Sequence, residues 1–163
     1  MHASSNFVVI WKGSKKDRKT ANEMLQEYFD DELEDKQKLI FEETYELVWL
    51  EDIIDAFNEI AETVPKLNFV VSGYIDCSEN SGEFMDFGII YKNVKLTTYY
   101  SDWLTYDDIE INEDGEEEEC FGRCDRFLEM QEADIDDINT TFKEICQEIK
   151  DKKWSNVEVI EIE

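Results

Sequence analysis

Apolar positions recur along this chain with two periods. The run Asn6–Trp11 (NFVVIW) is short and rich in β-branched residues, which predicts a strand, and the basic turn Lys12–Lys16 follows it. Over Asp17–Leu33, Ala21, Met24, Leu25, Tyr28, Phe29 and Leu33 return at three and four residues, the spacing of one helix face. Lys38–Glu43 fits either a strand or the approach to the next helix. Leu47–Val64 carries the clearest helical stripe (Leu47, Leu50, Ile53, Ile54, Phe57, Ile60, Ala61, Val64), closed by Pro65.

The middle of the chain changes period. Leu67–Asp76, Glu83–Lys92 and Val94–Tyr100 are rich in Val, Ile, Phe and Tyr and are separated by turn-forming residues, the pattern of a β-meander. Tyr106–Asn112 alternates Ile109 and Ile111 with Asp108 and Glu110, predicting a fourth strand. Glu113–Glu119 reads as solvated loop, and Cys120–Ala133 fits no single element. Asp136–Lys152 has Ile138, Phe142, Ile145, Cys146 and Ile149 on one face, with acids at its start and lysines at its end, as a helix dipole prefers. Val157–Ile162 fits a final edge strand. The expectation is an α+β fold: an antiparallel meander of about four to five strands with about three helices, one domain over 1–163, and residues 1–5 mobile.

Charge changes the picture. The chain has 42 Asp+Glu against 16 Lys+Arg, a formal net charge of −26. Residues 1–20 hold five bases and one acid, so the remaining 143 residues carry −30. Such imbalance often means disorder, but 42% hydrophobic and 13% aromatic residues supply a core. No stretch approaches the ~18 apolar residues of a membrane helix. The basic cluster follows the first apolar run where a secretory signal would have it precede, so a cytoplasmic protein is expected, and the Asn139-Thr140-Thr141 sequon carries no weight.

Candidate chemistry is sparse. The only histidine is His2, so no Ser-His-Asp or Cys-His pair can form in the body of the chain, and Gly13 lacks the glycine partners of a phosphate loop. Cys120 and Cys124 are a C-x3-C pair, with Cys77 and Cys146 remote and single; free thiols are expected in place of a zinc site. Glu110–Gly115 imitates part of an EF-hand but fails at the first ligand and at the twelfth, Phe121. Neither cofactor, metal nor catalysis is expected.

The acids themselves form the stronger pattern. On the second helix Glu51, Asp52, Asp55, Glu59 and Glu62 share the solvent side, and Glu51, Asp55 and Glu59 are successive i, i+4 like-charge pairs, each costing about 0.2–0.5 kcal/mol. Only Lys66 offsets this row. The first helix repeats the design with Glu23, Glu27, Asp30, Asp31 and Glu34. From Asp102 to Glu119 come ten acids and no base: Asp102, Asp107, Asp108, Glu110, Glu113, Asp114, Glu116, Glu117, Glu118 and Glu119. Carboxylates at these intervals match the spacing of phosphates along a nucleic-acid strand. The expected partner is therefore a basic protein surface, neither nucleic acid nor membrane, and the cluster Lys12, Lys15, Lys16, Arg18 and Lys19 is expected to pair with the chain's own acids.

In composition, though in no motif, the chain resembles anti-restriction and anti-CRISPR DNA mimics and nuclease-immunity proteins. The expectation is an acidic inhibitor occupying the nucleic-acid site of a partner. An immunity protein or antitoxin that caps a cognate toxin is the second reading. A small-ligand or cation-binding protein, or an enzyme using carboxylates, is the third.

Overall fold

The structure, a computed structural model, describes residues 3–29, 33, 36–77, 82–105, 109–111, 117–119 and 130–162; for 105, 109–111 and 117–119 it describes the backbone alone. The elements are β1 (Ser4–Lys12), α1 (Lys15–Gln26), β2 (Lys38–Thr44), α2 (Leu50–Thr63), β3 (Asn68–Cys77), β4 (Glu83–Lys92), β5 (Lys95–Tyr100), β6 (Leu104–Thr105), β7 (Ile109–Ile111), β8 (Glu117–Glu119), α3 (Ile138–Asp151) and β9 (Asn156–Glu161). The fold is α+β. Six strands form the main sheet in the order β2-β1-β3-β4-β5-β9, antiparallel throughout, with the two-residue β6 added beside β4. That exceeds the four to five strands expected, because Lys38–Thr44 resolves as an edge strand on β1.

Side-chain alternation puts the sheet between two helical layers. Phe7, Val9 and Trp11 of β1, Phe69 and Val71 of β3 and Phe87, Ile89 and Tyr91 of β4 face the α1/α2 layer. Val8, Ile10, Val70 and Ile90 face α3, through Phe142, Ile145, Cys146 and Ile149. Burial on both faces explains why NFVVIW is continuously apolar instead of alternating. At Gly88 a Cβ would come within 3.0 Å of Ile149 Cγ2, so the missing side chain sets how closely α3 sits on β4.

Helix ends differ from the periodicity. Ser14 Oγ accepts from the Asp17 N–H at 3.1 Å, so α1 begins two residues before Asp17. It stops at Gln26, seven residues short of Leu33, where Asp30, Asp31 and Glu32 would oppose the negative end of the dipole. Phe29 still packs, stacked on Phe41 at 4.4 Å, as part of the loop. The second helix starts at Leu50, not Leu47. Leu47 is buried before it, with its carbonyl accepting from the Ser5 hydroxyl. Ser5 also pairs with Thr44 of β2 and Ile75 of β3. Trp11 Nε1 donates to Asn22 Oδ1 at 2.7 Å, and Asn22 Nδ2 donates to the Lys36 carbonyl at 3.0 Å, fastening α1 to β1.

The acidic segment holds another correction. Glu117–Glu119, read as loop, is a strand paired with Ile109–Ile111 in a separate two-stranded ribbon. Ladder bonds are made by backbone groups, so charge along the run does not prevent pairing. The strand expected over Tyr106–Asn112 is present only as Ile109–Ile111, its remaining residues lying outside the described set. No described helix is long and apolar enough to cross a membrane.

Candidate functional site

The acidic row of α2 is presented as its spacing predicts. Ile53, Ala56, Phe57, Ile60 and Ala61 are buried, which turns Glu51, Asp52, Asp55, Glu59 and Glu62 to solvent. Asn58 Nδ2 donates to Glu62 Oε1 at 3.3 Å, a neutral partner for the last of them.

The first helix joins this surface through one side chain. Tyr28, just beyond the end of α1, has its phenol pKa raised, first by burial and then by the charges of Glu59, Glu27, Asp55 and Asp52. The charges of Glu27, at the C-terminal cap of α1, and of Asp52, Asp55 and Glu59 on α2 thus all bear on one phenol. Glu23 is exposed on α1 beside them. Asp30, Asp31 and Glu34 of the secondary face lie outside the described residues, as do Asp107, Asp108, Glu113, Asp114 and Glu116. For Glu110, Glu117, Glu118 and Glu119 the backbone alone is described.

At the other end, Glu51 leads into a cleft of about 440 Å³ that the sequence reading missed. Ile54, Ile75 and Met85 form apolar walls, Trp49, Tyr100 and Trp103 the aromatic ones, and Glu51 and Glu158 bring carboxylates. Trp49 and Trp103 meet edge to face with centroids 6.5 Å apart, and each remains 39% exposed, unusually wet for such large side chains. Tyr100 Oη donates to Glu158 Oε1 at 3.0 Å. That bond, then burial, then the charges of Glu158 and Asp102 raise the tyrosine's pKa, so it stays a neutral donor. Asn156 Nδ2 donates to Asp102 Oδ1 at 3.1 Å, which orients the one acid of the 102–119 run whose side chain is described.

Such a cleft can hold a cation on an apolar stem. Aromatic faces attract ammonium and guanidinium groups, and carboxylates at the rim pair with them. Ile75, Met85 and Tyr100 bring β3, β4 and β5 into the lining of this cleft. Trp49 was hidden because the periodicity placed it inside a helix that in fact begins one residue later.

No cluster of three or more His, Cys, Asp or Glu side chains suited to a metal occurs among the described residues. Cys77 and Cys146 are buried free thiols, and Cys120 and Cys124 lie outside the described set. Lys12, expected to pair with the chain's acids, makes no ion pair with a described carboxylate and rests over the Phe142 ring, its ammonium 5.4 Å from the centroid. No protein-family model matches the chain, and no curated protein or solved structure matches it significantly.

Proposed function

We propose that this chain is an acidic binding inhibitor that covers the basic nucleic-acid-binding surface of a partner protein in the cytoplasm, as anti-defence DNA mimics do. One observation carries the reading. The carboxylates of α2 all face solvent, and their row runs through Glu51 into a cleft walled by Trp49, Tyr100 and Trp103. Along α2 the i, i+4 carboxylates are spaced about 5–6 Å apart, comparable to successive phosphates. Their mutual repulsion costs stability in the free chain and is relieved when a lysine- and arginine-rich groove closes over them. Association is then steered by charge and weakened by salt. In this reading the chain binds without chemistry, metal or cofactor, and does not itself take up nucleic acid.

The cleft also favours a second reading, an immunity protein or antitoxin with one cognate toxin. A phosphate decoy has no need of an apolar anchor, whereas a cognate interface gains most from buried Trp and Tyr. Competition separates the two. A partner captured by this chain and released by DNA or RNA supports the decoy; a partner held with nucleic acid still bound to it supports the cognate inhibitor. Capture unaffected by Lys at Glu51, Asp55 and Glu59, with no salt dependence, would sink both.

A further inference from the structure

On the opposite side of the sheet from α2 lies a pocket with a basic lining. β1 ends there with Lys12, β3 begins with Asn68, and the β4–β5 turn supplies Lys92 and Asn93. α3 crosses above with Asn139, Phe142, Lys143, Cys146, Gln147 and Lys150, enclosing a pocket of about 490 Å³. Among the described residues four lysines line it and no carboxylate does. A shallower groove of about 260 Å³ shares Lys92, Asn93 and Lys150 and adds Lys95.

Three features separate this pocket from a chance gathering of surface lysines. Its cations are uncompensated: none of Lys12, Lys92, Lys143 and Lys150 forms an ion pair with a described carboxylate. They converge, since all four line one concavity with Cys146 in its wall. Amides stand between them: Asn68, Asn93 and Asn139 have no described side-chain hydrogen bond, while Gln147 gives its Nε2 hydrogen to Asp151 at 2.7 Å. Like charges held together in a concave, amide-lined site repel unless an anion joins them.

We propose that this pocket binds a small, multiply charged phosphoanion, such as a di- or triphosphate group, through Lys12, Lys92, Lys143 and Lys150. Its volume lies within the range of about 300–1,000 Å³ usual for small-ligand sites. The ammoniums neutralise the phosphates as point charges, and the amide N–H groups bond their oxygens. Size selects against macromolecular anions. A long nucleic acid or an anionic bilayer meets the field of the whole −26 chain, while a compact anion inside the pocket meets chiefly the lysines within a screening length of about 8 Å.

The test is calorimetric titration of the full chain with sodium tripolyphosphate at about 0.15 M ionic strength. Binding at one site is expected, weakened about tenfold or more by Lys92→Gln with Lys150→Gln. Lys153→Gln, at an exposed lysine outside the pocket, should change it less than about twofold. On the unaltered protein, amide NMR signals of Asn68, Asn93 and Asn139 should move with tripolyphosphate, which keeps the proposal testable should the double variant misfold. Absence of binding at millimolar tripolyphosphate, or equal loss with Lys153→Gln, would overturn it. So would tighter binding of a single-stranded oligonucleotide, or of vesicles of anionic phospholipid, through the same lysines. None of these results touches the acidic face.

Discussion

Lys152 reaches back from the end of α3 to Asp86, a carboxylate without exposed surface in the middle of β4, and meets Oδ2 at 3.2 Å. The same ammonium lies 4.8 Å from the centroid of the Trp154 ring. This contact pins the helix over the lysine pocket to the central sheet. Its two ends are unequal: the Lys152 side chain keeps 16% of its exposure, while Asp86 keeps none.

Lys152→Ala should therefore destabilise more than Asp86→Ala. Removing the lysine takes the 3.2 Å ion-pair partner from a carboxylate buried in the sheet, whereas the lysine left by the second change can turn to water. Urea unfolding of both variants checks the order, and equal losses would show that the pair is no more than a surface bridge.

Raising salt from about 0.02 to about 0.3 M should raise the unfolding temperature, because screening weakens the repulsion among the α1 and α2 carboxylates. Glu51→Lys, Asp55→Lys and Glu59→Lys together should leave the fold intact and flatten that dependence. A melting temperature that falls with salt would contradict uncompensated acidic faces.

Trp49→Ala and Trp103→Ala should leave stability within about 1 kcal/mol, since both rings are part-exposed, yet abolish capture of the basic partner if the cleft takes its anchoring side chain. Unchanged capture would confine the interface to the helical acids.

Cys146 gives a pH prediction. Burial lifts its thiol from 9.0 to about 11, against the pull of Lys150, Lys92 and Lys12. A folded-state pKa raised in this way contributes stability that is whole below pH 9.0 and is lost as pH climbs through about 11. Cys146→Ala should thus flatten the alkaline part of the stability profile, as followed by denaturant midpoints from pH 8 upward.

The β4–β5 turn has positive φ at Asn93 (55°) and Val94 (53°). Two such residues make the hairpin turn that matches strand twist, and asparagine suits the first place while a β-branched side chain strains the second. Val94→Gly should stabilise the chain by roughly 1 kcal/mol, read from denaturant midpoints. Destabilisation instead would mean that the half-exposed valine packs usefully.

Much of this architecture could be read from the sequence because it depends on local periodicity. The meander, the α3 face of Phe142, Ile145, Cys146 and Ile149, and the outward row of Glu51, Asp55 and Glu59 all follow from spacing within one segment. What escaped reading depends on distant pairing. Lys38–Thr44 became a strand only because β1 offers an edge to it. The Trp49–Trp103 cleft joins residues 54 positions apart across a helix start and a strand end. The lysine pocket draws on β1, β3, the β4–β5 turn and α3, each holding too few cations to stand out against the acids around it.

The strand order has a consequence for assembly in time. β1 leaves the ribosome before the other strands of the sheet, yet it occupies the interior of the sheet, and its longest partner, Asn68–Cys77, follows more than fifty residues later. Until β3 arrives, Phe7 and Trp11 have only α1, β2 and α2 for cover, and Val8 and Ile10 wait still longer for α3 at residues 138–151. Pairings of such long sequence separation slow folding, and the exposed strand invites association with other nascent chains. The heavy negative charge then has a second use: it holds half-made copies apart through the interval in which one edge and one face of their most apolar strand stay open.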